Sequence, residues 1–327
     1  MKKVAVIGLG NISIRHRKNL KLLFPQAELL VMSGSGRYPK GDIKECDGVA
    51  TSIDELIKAR VELVIVASPA PYHAKHSIPF IEVGIPTLIE KPVTTSIKDA
   101  EVIKRAIDLH QTPVSIGYCL RYLPSAQKLK YILEQGRIGV LHNAYIETGQ
   151  YLPDWRPAQD YRDTVSAQAA LGGGVLFELS HELDYTQWLL GPLHVKNSIL
   201  RSSEELNLDV EDVADIVALT ELGAVVTIHL DFLQRKAHRK CSFLGSLGRI
   251  EWDLLSNQLT LVTATETSVL YSDPTWDKNQ MYLAMLKDFV QMIEKKKDTC
   301  IGFNEAMSTI SLIAEINQQA INHRDIK

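Results

Sequence analysis

Val4-Ala5-Val6-Ile7-Gly8-Leu9-Gly10-Asn11-Ile12-Ser13 is the stretch whose reading decides the fold. A short apolar run rich in β-branched residues predicts a buried strand over Val4–Gly8. A helical pattern follows over Ile12–Phe24 and is ended by Pro25. Between the two lies G-x-G-x-x-S. In a strand–turn–helix unit the first glycine permits the tight turn, the second lets backbone approach a pyrophosphate, and the third position must be small so that helix packs on strand. Ser13 meets the size requirement in place of the more usual Gly or Ala. A pyrophosphate would then rest on the helix N-terminus at Gly10, Asn11 and Ile12, where amide groups and the helix dipole favour an anion. A glycine-rich turn without a ligand is the competing reading. The motif's place directly after an apolar strand argues against it.

Working outward, the strand–helix rhythm repeats. Strands are expected at Glu28–Met32, Leu63–Ala67, Thr87–Glu90 and Val114–Gly117. Helical segments are expected at Asp54–Lys58, opened by Ser52, at Ile78–Val83, closed by Gly84, and at Ile97–His110. Such repetition predicts a doubly wound parallel sheet with right-handed crossovers, here assigned to residues 1–120. Past Arg121 the rhythm changes. A helix over Ser125–Glu134, a strand over His142–Thr148 and a helix over Leu176–Leu190 precede consecutive extended segments from Lys196–Arg201 to Gln258–Thr263. Two helices, Gln280–Lys295 and Asn304–Asn322, close the chain. Residues 121–327 therefore read as an α+β domain around a largely antiparallel, open-faced sheet. Two domains also suit a length of 327 residues.

Composition narrows the class. Hydrophobic residues make up 45% and charged residues 23%, as in ordinary globular proteins. A net charge of −3 gives no reason to expect nucleic acid or an anionic membrane as a partner. The apolar run after Met1 ends in glycines after about four residues, which suits a strand and not an export signal. No stretch approaches the roughly 20 apolar residues of a membrane span. Cys46, Cys119, Cys241 and Cys300 are scattered without metal-type spacing, so no metal site is expected and all four are assigned as small buried hydrophobes. A cytoplasmic protein fits these features best.

NAD enzymes usually place an acid at the end of the second strand, on the ribose 2′-hydroxyl. Here the strand ends Met32-Ser33-Gly34-Ser35-Gly36-Arg37, with no carboxylate to repel a 2′-phosphate and with Ser33, Ser35 and Arg37 suited to bind one. NADP is favoured over NAD on this ground. Ligands in such sheets bind outside the carboxyl ends of the strands, which is where Ser68, Lys91 and Gly117 fall. Lys91 is the leading catalytic candidate. Its ammonium could hydrogen-bond the reacting oxygen and share its proton, and a cationic nicotinamide ring beside it would disfavour that charged form. Within the predicted helix over Leu176–Leu190, Glu178, His181, Asp184 and Tyr185 fall on one face. His181 suits acid–base work near neutral pH, with a packed structural histidine as the alternative. His73 is read equally as a cofactor contact or as a cap for the helix after it.

Ala67-Ser68-Pro69-Ala70-Pro71-Tyr72-His73, Glu90-Lys91-Pro92, Gly117-Tyr118-Cys119-Leu120-Arg121 and Gly172-Gly173-Gly174…His181…Asp184 follow the fingerprint in order. With it they resemble the glucose–fructose oxidoreductase/inositol dehydrogenase (Gfo/Idh/MocA) family over essentially the whole chain. The resemblance implies cofactor contacts at Ser68, Pro69, His73, Glu90 and Lys91. It implies a segment at Tyr118 and Arg121 that lines the junction of cofactor and substrate, with Cys119 standing where the family commonly has Asn. The family's acid usually lies four residues before the histidine. Glu178 lies only three before His181, so it departs from that pattern.

The loop Tyr151-Leu152-Pro153-Asp154-Trp155-Arg156-Pro157-Ala158-Gln159-Asp160-Tyr161-Arg162 carries rings for stacking on a sugar and guanidinium groups for an anion. Trp155, Arg156 and Arg162 are candidate substrate contacts, with Glu178 and Asp184; the alternative has Arg156 paired with Asp160 and the rings covering a domain edge. Gln234, Arg235, His238 and Arg239 face either the ligand or a subunit interface. The expected activity is hydride transfer between a nicotinamide and a secondary alcohol or ketone of a sugar, sugar nucleotide or sugar acid. The resemblance leaves two alternatives, cofactor-assisted glycoside hydrolysis and a non-catalytic dinucleotide-binding regulator. An open sheet face further suggests a homodimer or homotetramer.

Overall fold

The computed structural model describes residues 1–296 and 300–322, and the elements counted are those of these residues. Contacts divide the chain into two compact units, residues 1–118 with 282–310, and residues 119–281 with 311–327. The sequence reading placed one cut at 120/121, whereas the contacts also group 282–310 with the first unit. The last part of the expected second domain, 323–327, lies outside the described residues.

The first unit is built on strands β1 (Lys3–Ile7), β2 (Glu28–Met32), β3 (Gly48–Ala50), β4 (Val64–Val66), β5 (Thr87–Ile89) and β6 (Val114–Ile116). They pair in parallel throughout, in the order β3-β2-β1-β4-β5-β6. Crossovers run through α1 (Asn11–Leu23), α2 (Ile53–Lys58), α3 (His73–Glu82) and α4 (Ile97–His110). The strand residues of β4, β5 and β6 are all buried, as a sheet covered on both faces requires. Local chemistry sets the helix starts. Ser52 accepts from the Glu55 amide at 3.2 Å and Ser96 from the Asp99 amide at 3.1 Å. The edge strand β3 was not anticipated, because only three residues, Gly48-Val49-Ala50, make it.

Helix α8 (Asn279–Ile293) belongs mainly to this unit, and its Met285, Leu286 and Phe289 are buried. The Ile301 carbonyl beyond it accepts from the Ile116 amide at 3.3 Å at the end of β6.

The second unit holds α5 (Pro124–Glu134), β7 (Leu141–Gly149), α6 (Val175–Glu178), α7 (Ser180–Leu190) and a run of strands. These are β8 (Leu193–Arg201), β9 (Val213–Thr220), β10 (Val225–Asp231), β11 (His238–Gly245), β12 (Gly248–Asp253), β13 (Gln258–Val262) and β14 (Thr267–Ser272), then β15 (Ala320–Asn322) after α9 (Phe303–Gln318). The nine-stranded order is β14-β13-β12-β11-β7-β10-β9-β8-β15. Two pairs, β7 with β10 and β8 with β15, run parallel, and the rest are antiparallel. Helices α5 and α6 pack on one face. Tyr145, Val217, Leu244 and Val269 remain exposed on the strands. The expected helix over Leu176–Leu190 is two helices, because Leu179 breaks it with φ −97° and ψ 28°.

Cys119 and Cys241 are buried as assigned, but Cys46 and Cys300 are only half-buried. No helix among the described residues is long and apolar enough to cross a membrane.

Candidate functional site

In the first unit the sequence motifs gather at the carboxyl edge of the parallel sheet. Gly8 follows β1, Ser68 follows β4, Lys91 follows β5 and Gly117 follows β6, the edge where ligands bind at the strand-order reversal between β1 and β4. Gly8 has φ +111°, and a Cβ there would lie 2.3 Å from the Ala67 carbonyl oxygen. Only glycine fits. Gly10 caps α1 without any side-chain hydrogen bond, and a Cβ on it would meet nothing within 4 Å. Open space at the amino end of a 13-residue helix is the cradle a dinucleotide pyrophosphate needs, so the residues fit that group. Ser13 fills the third motif position fully buried, its hydroxyl donating to the Gly8 carbonyl at 2.6 Å. That bond explains how a serine serves where glycine is usual.

At the end of β2 the polar groups cluster. The Ser33 and Ser35 hydroxyls are 3.0 Å apart, and Arg37 Nε donates to Ser35 Oγ at 3.3 Å. Ser35 and Arg37 are exposed. Hydroxyls and a guanidinium so arranged suit a phosphate.

Two of the candidate cofactor contacts have partners within the protein. Glu90 is 5% exposed, and its carboxylate is occupied within the protein. His16 Nε2 donates to its Oε1 at 2.6 Å, and the Lys91 amide donates to its Oε2 at 3.0 Å. His73 begins α3 with its ring 1% exposed and caps nothing. Its Nε2 lies 2.7 Å from the Ser68 carbonyl and its Nδ1 3.0 Å from that of Pro92, so it links the segment after β4 to the one after β5. Burial holds the His73 pKa below the usual histidine value. Ser68 Oγ is 2.8 Å from His76 Nδ1, and burial, with His73 nearby, lowers the His76 pKa to about 4. Pro69 and Lys91 are half-buried, and the Lys91–Pro92 peptide is cis.

In the second unit Arg121 and Asp184 find each other. Arg121 Nε donates to Oδ2 at 2.9 Å and Nη2 to Oδ1 at 2.6 Å, both side chains buried. A fork-on-carboxylate pair of this kind orders the segment and engages part of the hydrogen-bonding capacity of both groups. The expected shared face of four residues is also corrected. Glu178 ends α6 and accepts from Ser166 Oγ at 3.2 Å, whereas His181 lies half-buried in the first turn of α7. Tyr185 is core: it is fully buried, with its ring edge-on to Trp252 at 5.2 Å. Burial pushes its phenol well above the usual range. Tyr118, in the first unit, is fully buried.

In the loop, Trp155 sits edge-on to Phe232 at 5.4 Å and its indole donates to the Gln150 carbonyl at 3.1 Å. Arg162 is exposed, stacks 4.7 Å over Tyr161 and lies 3.5 Å from Asp160. The partner of Asp160 is thus Arg162 and not Arg156, which is half-buried. Arg235 stacks 3.7 Å over Tyr151 and pairs with Glu205. His238 lies 3.2 Å from Glu147. Arg239 Nε donates at 2.7 Å to the buried Glu182, which also accepts from Thr148 at 3.0 Å.

His16 and Glu182 were missed by sequence reasoning. His16 had a signal: the buried residues of α1 are Ser13, His16, Arg17, Asn19 and Leu20, polar at four of five positions. An inward helix stripe of that kind needs polar partners.

Known proteins agree with this architecture. The oxidoreductase family with an NAD-binding Rossmann fold, GFO/IDH/MocA, matches residues 2–118, and that family's C-terminal domain matches residues 126–251. Inositol 2-dehydrogenase 2 of Saccharopolyspora erythraea is 28% identical over 240 residues, 69% of this chain and 66% of that protein. The scyllo-inositol 2-dehydrogenase (NADP+) IolW of Bacillus subtilis is 25% identical over 210 residues, 62% of this chain and 56% of that protein. The chain thus spans 66% and 56% of these relatives' lengths. A levoglucosan dehydrogenase solved in complex with NADH and levoglucosan has the same fold, with a TM-score of 0.84 at 16% identity over 97% of this chain and 96% of that one. Two family domains matched in their proper order, on a sheet carrying the fingerprint and Lys91 along one edge, make this chain a member of the GFO/IDH/MocA oxidoreductase family.

Proposed function

We propose that the chain is an NAD(P)-dependent oxidoreductase that moves a hydride between a nicotinamide and a secondary alcohol or ketone of a sugar, cyclitol or sugar derivative. The observation that carries this is the bare space at Gly10, at the head of α1, on the same sheet edge as Lys91. When bound, the nicotinamide accepts or supplies the hydride. The protein's own residues do the rest. Amides at Gly10, Asn11 and Ile12 hold the pyrophosphate. Ser33, Ser35 and Arg37 hold a 2′-phosphate, so NADP is preferred over NAD; one relative, IolW, carries NADP+ in its name. Lys91 hydrogen-bonds the reacting oxygen and holds its proton, and His181 serves as the acid–base partner. The half-buried Arg156 and exposed Arg162 favour an anionic polyol over a neutral one. The names of the relatives, inositol and levoglucosan dehydrogenases, support a polyhydroxylated ring as the substrate class. The exposed sheet face around Tyr145, Val217 and Leu244 supports self-association, which light scattering would count.

Initial rates of reduced nicotinamide formation with myo-inositol, levoglucosan and sugar acids, using NAD+ and NADP+ in parallel, test the proposal. Lys91→Met is expected to lower kcat by about 100-fold or more; near-wild-type turnover would overturn the mechanism. Arg37→Ala is expected to raise KM for NADP+ by about 10-fold or more and to leave NAD+ alone. An unchanged KM for NADP+ would remove the cofactor preference.

A further inference from the structure

Lys91 directly follows a buried anchor. On its amino side, Glu90 has a carboxylate that accepts the Lys91 amide itself, at 3.0 Å. The same carboxylate accepts His16 Nε2–H at 2.6 Å, and His16 is fully buried. His16 belongs to α1, the helix whose amino end carries Gly10. The surroundings are shaped for this pair. A Cβ on Gly117 would lie 2.8 Å from Glu90 Oε2, so the end of β6 is kept bare to admit the carboxylate. Tyr282 of α8 meets the His16 ring edge-on at 6.3 Å. His16 Nδ1 has no hydrogen-bond partner. This arrangement assigns the ring proton to Nε2, because an orphaned buried N–H costs more than a bare lone pair facing apolar surroundings.

A buried histidine–carboxylate pair of this kind is weak evidence of a stabilising role, since an apolar pair of equal volume often serves packing as well or better. The backbone amide of the catalytic candidate gains a fixed acceptor from it. We propose that His16 and Glu90 are positioning residues for Lys91: His16 fixes the rotamer of Glu90, and Glu90 fixes the backbone at Lys91 and hence the reach of its ammonium. The inference rests on the reading of Lys91 given above.

Three variants separate the possibilities. His16→Leu removes the donor, His16→Gln keeps one, and Lys91→Met tests the underlying reading. In the ligand-free protein, hydrogen exchange followed by mass spectrometry on a peptide spanning residues 88–94 is expected to show lost protection in His16→Leu and its recovery in His16→Gln. Unchanged protection in a folded His16→Leu protein overturns the proposal without any substrate. With myo-inositol or levoglucosan and NADP+, kcat of His16→Leu is expected to fall about 100-fold, as a displaced catalytic group does. KM for NADP+ and the NADPH Kd should stay within about 2-fold, and His16→Gln should restore most of the turnover. A purely structural pair would lower Tm and leave kcat alone, which also overturns the proposal. If Lys91→Met keeps wild-type turnover, the reading of Lys91 falls, whatever His16 does. If Lys91→Met is inactive while His16→Leu is unimpaired, that reading stands and only the positioning role falls. Should His16→Leu fail to fold, Glu90→Gln replaces it with the same two readouts, because its amide puts an NH2 donor in place of one of the two oxygens that accept from His16 and from the Lys91 amide.

Discussion

Gly8 and Gly10 belong to one motif and fail in different ways. An alanine at Gly8 combines a left-handed backbone, costing roughly 1–2 kcal/mol, with a Cβ 2.3 Å from a carbonyl oxygen. Gly8→Ala should therefore lower Tm as well as dinucleotide affinity. Gly10→Ala meets nothing in the protein, so it should unfold like wild type and yet bind NADPH more weakly, because its methyl takes ligand space. Thermal melts beside NADPH titrations check this, and equal affinity in Gly10→Ala would deny the cradle its assigned role. At this scale the strand-end residues Ser68, Lys91 and Gly117 were legible, since a short apolar run announces where each strand stops. The His16–Glu90 pair was not. Its partners are 74 residues apart, and nothing local to either residue names the other. Arg121 and Asp184, read singly as substrate ligands, became one pair for the same reason.

Elements were read well where strand-forming residues are dense and poorly where they are sparse. The strands β3 and β15 hold one β-branched residue each, Val49 and Ile321, whereas the equally short β4, β5 and β6 hold two or three. The break at Leu179 was hidden because the apolar pattern runs on through it. Strands β9 and β10 bring together a group that no single segment shows. His229 lies 2.6 Å from Asp215 and 3.1 Å from Asp231, and Asp215 lies 3.7 Å from Arg201. The hydrogen bond to Asp231, working against burial and joined by Asp215, raises the His229 pKa from 6.5 to about 9. A histidine raised on folding stabilises fully below its unfolded value of 6.5, and that contribution is lost as the pH climbs through about 9. Urea midpoints of wild type should therefore fall between these pH values more steeply than those of His229→Gln. Parallel slopes would remove the charged histidine from the account.

On the scale of the whole molecule, the dinucleotide-binding unit is not finished by its own first 120 residues. Met285, Leu286 and Phe289 of α8 are buried in a unit that otherwise ends at Tyr118. Each such side chain is worth about 1.5–3 kcal/mol when buried. A fragment of residues 1–120 should unfold with little cooperativity and bind a hydrophobic dye. Residues 1–118 joined to 282–310 by a flexible linker should melt cooperatively. A 1–120 fragment with a sharp transition at the midpoint of the joined form would show the return of α8 to be dispensable.

What the amino-acid sequence determined by itself was most of the strands and helices in order, the parallel first sheet, the nucleotide turn and the family. Each of these is written in short-range spacing: a period of two or 3.6 residues, or glycines at fixed offsets. Only the tertiary structure decided which polar groups face each other. Glu90, His73, Arg121 and Asp184, each read as a ligand contact, all have partners within the protein. Burial and charge pairing are properties of distance in space, and spacing along the chain does not carry them.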